Sequence, residues 1–161
     1  MTLPTPYYIV YEDRLRANLE LITDVARRSG ATIIMAFKAN ALWRTFPIIA
    51  EYCRDCTASS VNELRLGREF LGGHIHSYSP AYTDATIEEF IAGSTHITFN
   101  SLSQLERYGR RAAEAGVSVG LRVNPKVSVV DTDLYNPALP GSRLGVDLAH
   151  MPAELPPYVE G

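Results

Sequence analysis

The amino-acid sequence predicts an α/β fold of about five parallel strands joined by crossover helices. From residue 12 onward, amphipathic helical stretches alternate with short apolar runs, the element order that a parallel sheet requires. The first of those runs lacks the polar alternation of a half-exposed strand, as a sheet covered on both faces demands. No G-x-G-x-x-G or G-x-x-x-x-G-K-[ST] loop follows it, which argues against a dinucleotide-binding or P-loop fold. The 161 residues can bury a real core, yet a closed (β/α)8 barrel usually needs roughly 200 or more. From the pattern alone, a truncated barrel and a smaller open sheet both fit.

The elements follow in order. "EDRLRANLELITDVARRSG" puts Leu15, Leu19, Ile22 and Val25 on one helical face, with acidic residues first, arginines last and Gly30 as the stop. A strand over 31–38 comes next, apolar from Ile33 to Phe37 and ending on Lys38. After a turn containing Trp43, a short helix starts near Pro47, because proline is tolerated in a first turn but not in an interior. A brief strand ends at Thr57 to Ser59, and Ser60 with Glu63 has the spacing of a capping box. The cycle repeats as strand "HIHSYSP", helix from about Asp84 to Ala92, strand "THITFNS", helix "LSQLERYGRRAAEAG" and strand "VSVGLRVNP". Ser101 and Gln104 again have capping-box spacing, and Leu102, Leu105, Tyr108 and Ala112 share a helical face. Beyond Pro125, "KVSVVDTDLYNPALPGSRLGV" reads as a long loop rich in turn formers, of the kind that serves function. The last twelve residues, with Pro152, Pro156 and Pro157, show no convincing closing element.

Composition excludes several classes of partner. The net charge is −3, with acidic and basic residues interspersed, so neither nucleic acid nor an anionic membrane is expected to bind. "MTLPTPYYIVYEDRL" has no basic stretch leading into a long apolar core, and no run approaches the ~18 apolar residues of a spanning helix. A soluble, cytoplasmic protein is expected. Cys53 and Cys56 have C-x-x-C spacing, but zinc needs two more ligands and His74, His76, His96 and His150 show no matching spacing. Both cysteines therefore read as ordinary helix-end or core thiols, with no metal.

Lys38 carries the first functional reading. A lysine at the carboxyl end of a buried parallel strand emerges where such sheets hold ligands, and a plain solvated strand end is the competing account.

Seven stretches decide between them: "TPYYIVYEDRLRANLELI", "AFKANALWRTFPII", "TASSVNELRLG", "SYSPAYTD", "ITFNSLSQLERY", "LRVNP" and "TDLYNPALPGSRLGV". In this order they resemble the carboxynorspermidine decarboxylase branch of the alanine-racemase-like, pyridoxal-phosphate-dependent barrel enzymes. The first, fourth and last point to that branch, while "LRVNP" and the strand-end lysine are common to the wider group. The resemblance implies a partial (β/α)8 barrel, with residues 1–161 as its amino-terminal part and further strands and a β-rich second domain outside this sequence. It also implies pyridoxal 5'-phosphate as cofactor, a carboxylated polyamine (carboxynorspermidine or carboxyspermidine) as substrate, and a homodimer at full length.

Residue by residue, Lys38 corresponds to the lysine that holds the cofactor aldehyde as an imine, a role suited to an ammonium that loses its proton when desolvated. Ser60 and Glu63 match an S-x-x-E near the cofactor, in competition with their helix-capping role. Arg122 matches a strand-end arginine lying under the cofactor, where a fixed guanidinium charge would tune the ring; a structural ion pair is the competing role. Asn100 and Ser101 end the fourth strand, where they face the site or cap the next helix. Asp133, Tyr135 and Asn136 lie in the branch-specific segment, where an aspartate would attract a polyamine cation or simply occupy a solvated turn. A cofactor-stacking histidine, a glycine-rich phosphate loop and an acidic partner for the ring nitrogen cannot be placed, so residues 1–161 alone are expected to be inactive. The rival readings are another enzyme of the same group, such as diaminopimelate decarboxylase or an amino-acid racemase, and a non-catalytic pyridoxal-phosphate-binding protein.

Overall fold

Five short strands pair in parallel in the order of the sequence: β1 (Met35–Ala36), β2 (Cys56–Ala58), β3 (Ile75–Tyr78), β4 (His96–Phe99) and β5 (Ser118–Leu121). A doubly wound sheet reverses direction at a switch point, whereas the unbroken order β1-β2-β3-β4-β5 is that of a barrel sector. This computed structural model describes residues 4–161; residues 1–3, which begin the stretch read for a leader, lie outside the described residues.

The helices form where their termini are satisfied. α1 (Glu12–Ser29) opens on Glu12 and Asp13, closes on Arg27 and Arg28, and stops at Gly30, whose φ of 72° is left-handed. α2 (Phe46–Ile49) has Pro47 in its first turn. α3 (Val61–Leu66) is capped by Ser60 and widens into a π-type turn over Gly67–Leu71. α4 (Ile87–Gly93) starts three residues later than the sequence suggests, because Thr83 and Thr86 hold a turn ahead of it with the Thr83 N–H on Thr86 Oγ1 at 3.3 Å. α5 (Leu102–Gln104), a π-type turn over Leu105–Gly109 and α6 (Arg110–Glu114) follow without a break.

Burial alternates along the strands and separates the two faces of the sheet. Cys56, Ala58, Ile75, Ser77, Ile97, Phe99, Val119 and Leu121 are buried and meet the helices. Phe37 joins this core by stacking on Phe46, with ring centroids 4.8 Å apart. The opposite face carries Ala36, Thr57, His76, His96 and Ser118 in one register row. The rings of His76 and His96 stack there at 4.0 Å. In a closed barrel this second face is the interior.

Two expectations need correction. The strand over 31–38 contributes only Met35 and Ala36 to the sheet, with the Ala39 N–H returning to the Ala36 carbonyl at 2.9 Å. With a neighbour on one side only, β1 is an edge, Ile33 stays 38% exposed, and the burial on both faces that its composition suggests is not reached. An apolar groove of about 610 Å³ runs between this edge and α1, lined by Leu15, Leu19, Ile22, Ile34 and Met35. The final residues do form part of the sheet. Val159 bridges Val119 in parallel, and the Leu121 N–H donates to the Gly161 carbonyl at 2.7 Å, so the chain's last residues take the next strand position beside β5.

Past β5, β6 (Val123–Asn124) and β7 (Val146–Asp147) pair in parallel. The excursion between them has the irregular character expected, with one 3-10 turn at Asp133–Tyr135. Among the described residues, no helix is long and apolar enough to cross a membrane, and no three His, Cys, Asp or Glu side chains converge as a metal site.

Candidate functional site

The site residues singled out from the sequence lie at the carboxyl ends of the strands, in the loops that follow them or, for Glu63, in the first turn of α3. Lys38 comes two residues after the last paired residue of β1, next to a Phe37 locked into the helix-side core, and its side chain is exposed. It enters none of the ion pairs among the described residues.

Ser60 and Glu63 are engaged in capping α3. The Ser60 hydroxyl accepts the Glu63 N–H at 3.2 Å, and the Glu63 carboxylate accepts the Ser59 N–H at 2.5 Å. Ser101 similarly caps α5, accepting the Gln104 N–H at 3.3 Å. None of these side chains is hydrogen-bonded to Lys38 among the described residues.

Arg122 follows β5 directly and is half-buried. Its Nη1 donates to the Tyr78 hydroxyl at 2.6 Å, and the guanidinium carbon lies 5.0 Å from the Tyr78 ring centroid. No carboxylate pairs with it among the described residues, so the ion-pair role considered for it is not found. A half-buried cation held only by a neutral hydroxyl keeps charge to offer an anion.

The Tyr78 hydroxyl donates in turn to Asn100 Oδ1 at 2.8 Å. Asn100 is buried and uses both ends of its amide: Oδ1 also accepts the Gly145 N–H at 2.8 Å, and Nδ2 donates to the Arg143 carbonyl at 2.8 Å. Asn124 does the same one strand on, with Nδ2 donating to the carbonyls of Pro137 and Leu144 at 2.9 and 3.0 Å and Oδ1 accepting the Lys126 N–H at 3.0 Å. Two buried asparagines thus fasten the loop after Pro125 to the strand ends. Gly145 is required at the fastening point. Its φ is +83°, and a Cβ there would meet the Asn124 nitrogen at 3.0 Å and the Arg122 carbonyl at 3.1 Å.

Asp133 and Tyr135 are exposed and Asn136 is half-buried. Asn136 Oδ1 accepts the Ala138 N–H at 2.9 Å, as a turn residue does. Sequence reasoning named Asn100 without its partners and missed Tyr78 and Asn124. The signal for Tyr78 was the alternation in "HIHSYSP": with Ile75 and Ser77 buried, His76 and Tyr78 share the opposite face.

The donors present fit pyridoxal 5'-phosphate in part. An exposed lysine and a half-buried arginine, neither with an ion-pair partner among the described residues, stand at the carboxyl ends of strands of one sheet, the residue types that an aldehyde and an anionic ring substituent call for. The phosphate finds no glycine-rich helix start among the motifs of this sequence.

Comparison with known proteins finds relatives in sequence and in fold. The chain is 41% identical over 143 residues to a carboxynorspermidine/carboxyspermidine decarboxylase of Herminiimonas arsenicoxydans, covering 89% of this chain and 39% of that protein. It is 38% identical over 160 residues to a carboxyaminopropylagmatine decarboxylase of Synechocystis sp., covering 99% of this chain and 41% of that protein. Among solved structures it matches carboxynorspermidine decarboxylase from Campylobacter jejuni complexed with norspermidine, with a TM-score of 0.77 and 35% identity over 90% of this chain and 36% of that one. No family model matches. The chain therefore spans about two-fifths of the length of the curated relatives it matches.

Proposed function

We propose, from this homology to carboxynorspermidine and carboxyspermidine decarboxylases, that the chain is the lysine-bearing part of a pyridoxal-phosphate-dependent decarboxylase acting on a carboxylated polyamine. One structural observation carries the reading beyond homology: Arg122 is half-buried, paired among the described residues only with a neutral hydroxyl, and emerges at the carboxyl end of its strand, as Lys38 does.

In this reading Lys38 would hold the cofactor through its aldehyde. Its amine would also stand near the reacting carbon, where it could return a proton. Arg122 sets a fixed positive charge against an anionic group of the cofactor ring and keeps it oriented. The bound cofactor supplies an electron sink for the pair left behind as carbon dioxide departs. Ser60 and Glu63 support the site as the fixed N-terminal cap of α3, beside the strand that neighbours β1. The remaining strands, the phosphate-binding groups and a second domain belong to the rest of the protein. The open β1 edge and the exposed run from Tyr7 to Tyr11 are surfaces suited to being covered by it. A cytoplasmic homodimer completes the proposal.

The test is carbon dioxide release by the full-length protein. Carboxynorspermidine, carboxyspermidine and carboxyaminopropylagmatine are offered beside meso-diaminopimelate. Release from one of the first three with pyridoxal phosphate present supports the reading. Release from diaminopimelate alone, or from none, contradicts it.

A further inference from the structure

We infer that Tyr78 is a positioning residue for Arg122, and that Asn100 extends its control to the loop after Pro125. The inference rests on the reading of Arg122 as the cofactor's partner and adds what sets that residue's orientation.

The direction of every proton in the chain can be derived. The Gly145 N–H can only donate, so the Asn100 atom 2.8 Å from it is Oδ1. The Arg143 carbonyl can only accept, so it faces Nδ2, at 2.8 Å. These two backbone groups fix the amide's orientation without reference to Tyr78. An Oδ1 so placed can only accept, which obliges the Tyr78 hydroxyl to donate its single proton to it at 2.8 Å. With its proton so committed the hydroxyl can only accept, and Arg122 Nη1 donates to it at 2.6 Å. The result is one polarised line from the loop backbone through Asn100 and Tyr78 to a guanidinium that has no carboxylate partner among the described residues. Each bond fixes the next, and the alternative proton arrangement is closed off.

The line also explains why the loop returns where it does. The sequence "GSRLG" brings the Arg143 carbonyl and the Gly145 N–H to the two ends of one buried amide, and the left-handed Gly145 allows the close approach. A loop lifted off the strand ends would free Asn100, then Tyr78, then Arg122. In the seated loop Arg122 has one preferred direction and presents its other nitrogens to a ligand.

The experiment is a double-mutant cycle on the full-length protein, read as the pyridoxal-phosphate dissociation constant and as the pH midpoint of the bound cofactor's visible absorbance. The variants are Tyr78→Phe, Arg122→Ala and the two together, with thermal unfolding of each cofactor-free protein alongside. Tyr78→Phe should weaken cofactor binding by about tenfold, the scale of one hydrogen bond to a charged group, and shift the absorbance midpoint. In the Arg122→Ala background the same change should have almost no further effect. Asn100→Ala provides a second route to the same coupling should Tyr78→Phe fold poorly. Equal losses from Tyr78→Phe with and without Arg122, or an unmoved dissociation constant in a folded variant, would overturn the positioning role alone. Absence of cofactor binding by the unsubstituted protein would overturn the underlying functional reading and this inference with it.

Discussion

Cys56 and His76 show how burial settles the chemistry of single groups. Burial pushes the Cys56 thiol up to about 12 and raises that of Cys53 as well. Neither is a ready nucleophile, and Cys53 instead donates to the Ile33 carbonyl at 3.0 Å. Alkylation in mildly alkaline buffer should leave Cys56 unmodified until the protein unfolds, as mass spectrometry of labelled samples will show. Burial, reinforced by the stacked His96, holds the His76 imidazole below its ordinary range. The unfolded chain then binds that proton more readily than the fold does. The stability contributed by neutral His76 is therefore complete above about pH 6.5 and is lost as pH falls through the lowered folded value. His76→Gln should flatten that part of the curve of unfolding midpoint against pH; an unchanged slope would exclude His76 as its origin. The strand-end position of Arg122 came only from the family resemblance, since the strand pattern "VSVGLRVNP" runs through it, while that of Lys38 was legible because it closes an apolar run. The stacked histidines and the Tyr78 bridge were not, because they depend on the register between neighbouring strands, which one sequence does not state.

Helix ends were the most legible elements. Ser60 and Ser101 cap as their spacing implies, and Ser60→Ala should cost about 1 kcal/mol in denaturant unfolding. What the local pattern hides is contact across the layers. Gly67 has ordinary helical geometry and would seem improved by alanine, yet a Cβ there would stand 2.8 Å from Cys56 Sγ and 3.0 Å from Ile75 Cδ1. Gly67→Ala should therefore destabilise by about 1–3 kcal/mol, the scale of overpacking a core. A stabilised variant in the same unfolding assay would contradict the close packing of α3 on β2. The 31–38 run misled for a related reason. Its composition suits a strand covered on both faces, but pairing is decided by neighbours, and β1 has one. The loop after Pro125 was legible as irregular, though its attachment through Asn100 and Asn124 was not, since buried amides are recognised by their partners and not by their position in a sequence.

For the whole molecule, the sequential strand order distinguishes a barrel sector from an open doubly wound sheet, a choice the alternation of elements alone left undecided. The same order places the strand-end residues along one rim, where Lys38 follows the first strand and Arg122 the fifth. Residues 1–161 expressed alone should bind pyridoxal phosphate far more weakly than the full-length protein, because its phosphate carries about two negative charges that need donors, and no glycine-rich helix start is found in this sequence to supply them. Equal affinity would show that the rim is sufficient. The central claim is that Lys38 holds the cofactor, and borohydride reduction of the cofactor-loaded full-length protein tests it most directly. Peptide mapping by mass spectrometry should find the pyridoxyl group on Lys38 and on no other lysine; a group on Lys126, on a lysine outside residues 1–161, or on none would contradict the account.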